Sequence, residues 1–424
     1  MKKLSLFLAL FFALCQWSCT DNCEETRTFK TYRQVTIAQN EIRQAVKTEA
    51  SKMLVNPGKI YVKGNYLFIN EIKKGLHVID NSNPSAPKII AFITIPGNGD
   101  MAVKDNILYA DSYTDLVAIN ISDPTNVKEV GRVENVFTTG QFGGISWWYN
   151  SQTSSINDQL AEIVTQTVKV NCEDGTIFGP IWRATSDFNS ASASASSISP
   201  STTGQAGSMA RFALYDNYLY TVSQSSLQLF NIKAIDKPIK GRTINMGWGI
   251  ETIFPYKDKL FIGSSTGMFI YDNSNPESPT QLSVFQHAMA CDPVIVNGDR
   301  AYVTLRTGTT CARGVNQLDI IDISNLQSPK LLKSYPMQNP HGLGINFPNL
   351  FLCEGKQGLK SLDVRSDLDV KQLQHITGIN AYDVILLKNN TLLMIGSDGL
   401  YQFDYSNAQQ LKQLSVIPVH RENT

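Results

Sequence analysis

An excess of either charge is missing from this sequence: 37 Lys and Arg balance 37 Asp and Glu over 424 residues. Proteins that hold nucleic acid or an anionic membrane surface carry a basic footprint, so neither is expected as a partner. Long apolar runs are also scarce. Leu4 to Leu14 is the longest, and it is too short to span a bilayer as a helix. No CxxC and no Cys/His cluster of zinc spacing occurs. GxSxG, HExxH, P-loop, DxDxDG and paired-carboxylate motifs are absent as well. Enzyme function is therefore unsupported by motif, though not excluded, because a site can be assembled from residues far apart in sequence.

What is present is repetition. GLHVIDNSNP (Gly75 to Pro84) returns as DLVAINISDP (Asp115 to Pro124), SLQLFNIKAI (Ser226 to Ile235), GMFIYDNSNP (Gly267 to Pro276), QLDIIDISNL (Gln317 to Leu326), GLKSLDVRSD (Gly358 to Asp367) and GLYQFDYSNA (Gly399 to Ala408). The sixth position of each copy is an anchor: Asp80, Asn120, Asn231, Asp272, Asp322, Asp363 and Asp404. Successive anchors are 40, 111, 41, 50, 41 and 41 residues apart, so a unit of 41 residues recurs with one large and one small insertion. Units of roughly 40 to 50 residues with several short strands read as propeller blades.

Each copy has a physical logic. Apolar residues such as Leu76, Val78 and Ile79 lead to an Asp or Asn whose side-chain oxygen can accept the backbone N–H two residues on. The Ser-Asn-Pro that follows turns the chain and ends the strand. Strand signals before and after the motif complete four strands per unit. In the first they are Lys59 to Val62 (A), Tyr66 to Asn70 (B), Gly75 to Ile79 (C) and Lys88 to Ile95 (D). Gly64-Asn65, Asp105-Asn106, Asp216-Asn217, Asn297-Gly298-Asp299 and Asn389-Asn390 supply the A-to-B turns.

VIDNSNP and IIDISNL lie near the consensus of the LVIVD repeat, and nearly all of the chain after its first segment resembles that family of bacterial β-propeller proteins. The resemblance implies architecture and no settled activity. Lys2, Lys3, the apolar run and Ser18-Cys19 form a secretory signal over residues 1–18 that resembles the cleavage site of bacterial lipoproteins, with Cys19 the lipidated residue. Cys15 is the rival, behind a large Leu14. The expected location is the outer membrane, held through the lipid anchor only and open to the cell surface. A soluble periplasmic protein is the alternative.

Residues 19–55 read as a polar tether, Thr20 to Thr31, followed by a short helix from Gln39 to Glu49. The propeller occupies 56–419, with the large insertion at about 137–208 between the second and third units and the small one at Arg306 to Asn316. Ser190 to Gly207 has too little apolar content to fold alone. Ile145 to Phe178, with Trp147 and Trp148 and a strand signal at Val164 to Val170, reads as an ordered flap. Strands alternate in direction, so D-to-A and B-to-C connections share one face and both insertions decorate it. The first and last units are each complete and are expected to meet by packing.

An exported chain keeps disulfides. Cys291, at the start of strand A of the fifth unit, and Cys311, in its B-to-C connection, lie on one face with 19 residues between them. Neighbouring strands are about 5 Å apart, within the Cα reach of a bridge. A Cys291–Cys311 disulfide is expected, stabilising by roughly 3 kcal/mol. Cys23 with Cys172 is left open, and Cys353 is a buried thiol.

Stepping back from each strand B to the mouth of the axial channel on the decorated face gives Lys59, Asp100, Arg211, Glu251, Asp292, His341 and Asp383. Two readings compete. One is a polar ring that binds a ligand or a divalent cation. The other is an internal ion-pair ring in which Lys59 and Arg211 offset the carboxylates. Trp147 and Trp148 are either a stacking platform for sugars or an anchor for the insertion. His77, His287, His375 and His420 have no partner motif.

The fold expected is all-β: a monomeric seven-bladed propeller with four-stranded blades and no resident cofactor. The function expected is non-enzymatic binding or scaffolding at the envelope, toward a protein or glycan. A hydrolase or lyase working at the axial ring is the alternative.

Overall fold

A computed structural model describes residues 22–142, 145–171, 205–287, 293–307 and 315–420. The signal segment with Cys15 and Cys19, and also Cys172, Cys291, Asp292 and Cys311, lie outside the described residues.

Each repeat folds as one antiparallel sheet in the order A-B-C-D. In the first repeat the strands are Pro57–Lys63, Tyr66–Glu71, Gly75–Asp80 and Lys88–Thr94. The inner A strands of the later repeats are Met101–Lys104, Phe212–Tyr215, Ile250–Tyr256, Val294–Asn297, Leu343–Asn346 and Ala381–Leu386. Each inner strand packs on the next, and Pro57–Lys63 also packs on Thr391–Gly396 of the last repeat. Strands B and C are almost wholly buried, while the outer D strands are partly exposed. This gradient follows from sheets standing face to face around an axis.

All seven anchors do what their chemistry allows. Ser82, Ser122, Lys233, Ser274, Ser324, Arg365 and Ser406 donate their backbone N–H to the side-chain Oδ1 of the anchor two residues before, at 2.8–3.0 Å. A bulge in the C–D pairing bends every repeat sheet. The same turn joins one repeat to the next. The carbonyl four residues after the anchor accepts a hydroxyl from the preceding repeat in six cases: Tyr109 to Ile235, Tyr220 to Pro276, Ser283 to Leu326, Tyr335 to Asp367, Ser361 to Ala408 and Ser415 to Pro84.

The last of these joins the seventh repeat to the first. Ile60, Leu67 and Ile69 share an apolar cluster there with Ile385, Leu393 and Leu400. Asn81 and Gln402 exchange reciprocal amide hydrogen bonds at 3.0 and 2.6 Å. Backbone pairing across this seam is a parallel bridge between Leu54 and Val419, with His420 N–H donating to Leu54 O at 2.6 Å.

The N-terminal region departs from expectation. The presumed tether is strand over Asn22–Ala38, where Tyr32, Val35, Thr36 and Ile37 supply β-branched and aromatic residues. The helix covers only Gln39–Arg43, because Lys47–Glu49 pairs with the outer strand of the first repeat, matching Lys47 to Thr94 and Glu49 to Phe92. An outer strand offers free backbone groups, and Val46 and Thr48 favour extended chain over helix. Within the insertion, Thr139–Phe142 and Ile145–Asn150 form a hairpin in a sheet with Ser155–Asn171 and Asn22–Ala38. The described parts of that sheet at 22–35 and 158–171 make up a separate compact unit.

Candidate functional site at the axial mouth

The D-to-A and B-to-C connections are hydrogen-bonded to one another, so both lie on one face. Lys73 N–H donates to Asn98 O at 2.9 Å, Ile250 N–H to Gln224 O at 3.0 Å, and Met337 N–H to Asn316 O at 2.9 Å. Acidic residues ending strand B reinforce this. Glu71 accepts the N–H groups of Val55 and Asn56, Asp111 those of Gly99 and Asp100, and Glu354 that of Gln338. These carboxylates hold the connections in place.

The described members of the axial set fall into three groups. Lys59 and Asp100 form a buried ion pair, Nζ to Oδ2, at 2.6 Å. Asp100 is held by two further donors: Oδ2 also accepts Arg211 N–H at 2.6 Å and Oδ1 accepts Met101 N–H at 2.7 Å. Burial holds Lys59 below its ordinary pKa, against the pull of Asp100. Next to this pair, burial pushes Asp111 up to about 6.

Glu251 interacts electrostatically with Arg306, a residue outside the expected ring. Burial pushes Glu251 up to about 7, with Arg306 and then Arg211 working against it. Burial likewise lowers Arg306 from its usual value.

His341 and Asp383 are the third group, and both are buried. Burial, helped by Arg306, drives His341 well below its ordinary pKa. Burial drives Asp383 well above the usual carboxylate range. His341 is therefore neutral near pH 7, and ionisation of the Asp383 carboxyl is disfavoured. Gly342 leaves the space that Asp383 Oδ1 fills. Cys353 is a buried thiol beside Asp383, and burial raises its pKa.

The chain itself fills the mouth. Gln205–Ala206 pairs with the inner strand of the first repeat, matching Gln205 to Val62 and Ala206 to Tyr61. Gln205 Nε2 donates to Leu386 O of the seventh repeat at 2.8 Å. Ser208 Oγ accepts Leu343 N–H of the sixth at 3.0 Å, and Ala210 O accepts Ile253 N–H of the fourth at 2.8 Å. Gly207, Ser208, Met209 and Ala210 are buried. Sequence reasoning missed this plug. Its signal was the small apolar Gly-Ser-Met-Ala that ends the Ser-rich stretch.

Outward from the mouth, Trp147 and Trp148 part company, because successive strand residues face opposite sides. Trp147 is buried with Ile42, Tyr113 and Ile156, its ring edge-on to Tyr113 at 5.3 Å. Trp148 is 44% exposed. A second exposed indole, Trp248 at 62%, stands in the D-to-A connection before the fourth repeat. Gly247 and Gly249 flank it at φ of 94° and 84°, a left-handed backbone that glycine adopts freely. Gln224 Nε2 donates to Gln141 Oε1 at 2.7 Å, tying the hairpin of Trp148 to the connection of Trp248.

Among the described residues no three His, Cys, Asp or Glu side chains are grouped to hold a metal ion, and no helix is long and apolar enough to cross a membrane. The family model of the LVIVD repeat matches residues 57–93, 98–135 and 289–336. No curated relative matches the chain. Solved structures similar to it include Sqt1 of Saccharomyces cerevisiae, at 11% identity and TM-score 0.49, covering 87% of this chain and 97% of that one. BamB from Moraxella catarrhalis is similar at 9% identity and TM-score 0.43, over 84% and 98% of the two chains. PorZ, a surface component of the type-IX secretion system of Porphyromonas gingivalis, is similar at 11% identity and TM-score 0.47; the match covers 88% of this chain and 40% of PorZ.

Proposed function

From a chain that carries LVIVD repeats, we propose a seven-bladed, non-enzymatic binding or scaffolding β-propeller of the cell envelope that offers its decorated face to a protein or glycan. One observation carries this reading. Gly207 to Ala210 is buried across the axial mouth, where Lys59 pairs with Asp100, while Trp148 and Trp248 stand exposed on the connections of the decorated face. Exposed indoles suit sugar faces and peptide surfaces alike. Catalysis at the ring would instead need ionised groups converging on open space.

Export with lipidation at Cys19, residence in the outer membrane, and a Cys291–Cys311 disulfide complete the proposal. Cys19→Ala is expected to release the protein from the membrane fraction and to abolish acyl labelling.

Crosslinked affinity capture from intact cells tests the binding reading. Trp148→Ala with Trp248→Ala should cut recovery of the captured partner about tenfold, and Asp383→Asn should leave it unchanged. Loss with Asp383→Asn but not with the tryptophan variant would transfer the function to the axial ring and revive the hydrolase or lyase alternative.

A further inference from the structure

A cleft of about 290 Å³ lies at the seam where the first and last repeats meet. Lys52, Met53, Val55, Glu71, Lys74, His77, Phe92 and His420 line it. Leu54 is turned inward and buried, which leaves its neighbours Met53 and Val55 on the open side. Phe92 supplies the floor, with Lys52 Nζ 4.3 Å from its ring centroid. The volume sits at the lower end of the roughly 300–1,000 Å³ typical of small-molecule sites.

Charge in the cleft is one-sided. Glu71, the acid of its lining, is consumed by Val55 N–H, Asn56 N–H and His77 Nε2 at 3.1, 2.7 and 3.0 Å. Glu49 lies nearby, between Lys47 and Lys52. That leaves Lys74 and the His420 ring at the rim, with Lys52 beside them. His77 adds an independent sign. It is 1% exposed and edge-on to Phe92, yet its Nδ1 has no hydrogen-bond partner. A buried polar atom left unpaired beside a cleft is costly, and with Nε2 donating to Glu71 it is a ligand donor, such as a hydroxyl, that would satisfy Nδ1.

We propose that this cleft binds a small amphipathic acid, its carboxyl group near Lys74 and the His420 ring and its alkyl or aryl body on Phe92, Val55 and Met53. The site goes beyond the decorated-face reading and does not depend on it. Its position adds a consequence. An occupant touches the segment before the first repeat, the first repeat itself and His420 after the seventh, so binding fastens the closing seam and stabilises the folded ring by linkage.

The test uses the full-length protein with hexanoate, benzoate, hexylamine and hexanol as probes. Hexanoate or benzoate should raise the thermal midpoint by about 3 to 6 °C at a hundredfold excess over its dissociation constant. Ligand-detected saturation-transfer NMR should report the same contact. Met53→Trp places a bulky ring from an exposed position into the cleft, and Lys74→Gln removes a rim charge. Each should weaken binding at least fivefold without moving the unliganded midpoint. Hexylamine should produce no shift. Equal shifts from hexylamine or hexanol, absence of any shift from both acids, or acid binding unchanged by Met53→Trp would overturn the proposal.

Discussion

In the turn after strand C, the first and seventh repeats are interchangeable: Asp80 Oδ1 accepts Ser82 N–H at 2.9 Å and Asp404 Oδ1 accepts Ser406 N–H at 2.8 Å. At the inner strand the same two repeats carry Lys59 and Asp383, one held in a buried ion pair and the other pushed by burial above the usual carboxylate range. The turn sits in solvent and asks only for a short acceptor, so Asp and Asn serve equally and copies need not differ. Inner positions face one another around an axis in a medium of low dielectric. Seven copies of one charge there would repel strongly, so each position must suit its neighbours. Divergence at the axis is therefore required by the fold before any ligand is considered.

The axis is most sensitive to substitution at Lys59. Lys59→Met leaves the Asp100 carboxylate buried without its countercharge and should cost about 3–5 kcal/mol in chemical denaturation, with Asp100→Asn in the same chain recovering a part. A loss below about 1 kcal/mol would mean that the axial charges are solvated and not mutually paired. The closing seam comes next. Asn81→Leu strands the Gln402 amide and should cost about 1–3 kcal/mol, whereas Asn81→Leu with Gln402→Leu should be closer to neutral.

The turns should respond more weakly and more uniformly. Asn120→Ala removes the acceptor for Ser122 N–H and should cost about 1 kcal/mol, while Asn120→Asp should stay within about 0.5 kcal/mol of the parent. A large difference between Asn and Asp at this position would contradict the interchangeability. Glu251 gives a pH signature in place of a fixed loss. Its folded pKa stands near 7 against an ordinary 4.5, so the folded state binds the proton more tightly than the unfolded chain does. Stability contributed by this group is present in full below about 4.5 and is lost as pH rises through about 7. Glu251→Gln should flatten that fall in denaturation curves recorded across the window.

Repeat spacing and the Asx-turn chemistry were legible because both are local: a run of apolar residues, an acceptor, and a donor two residues later. Strand limits in the first repeat were met within two residues for the same reason. The axial positions could be counted from strand B, but the influence of Arg306 on Glu251 could not, since it acts between two repeats. Thr20 to Thr31 was read as tether because Asp21, Glu24 and Glu25 make it acidic, and the strand formers Tyr32, Val35 and Ile37 come only after it in the same strand. Trp248 was overlooked because an indole between two glycines has no periodicity to mark it. Trp148 was found, but its separation from Trp147 depends on a strand whose position the sequence left open.

The segment from Gln205 to Ala210 belongs in sequence to the approach to the third repeat, yet its partners lie in the first, fourth, sixth and seventh. It therefore acts as a keystone: its bonds to Val62 and Leu386 can be made together only when the two ends of the chain stand side by side. Opening the ring at its seam and withdrawing this segment are one event. A deletion that trims the large insertion should stop before Gln205. Cutting beyond that residue would remove a contact shared by four repeats and leave the inner strand of the first with an unpaired edge.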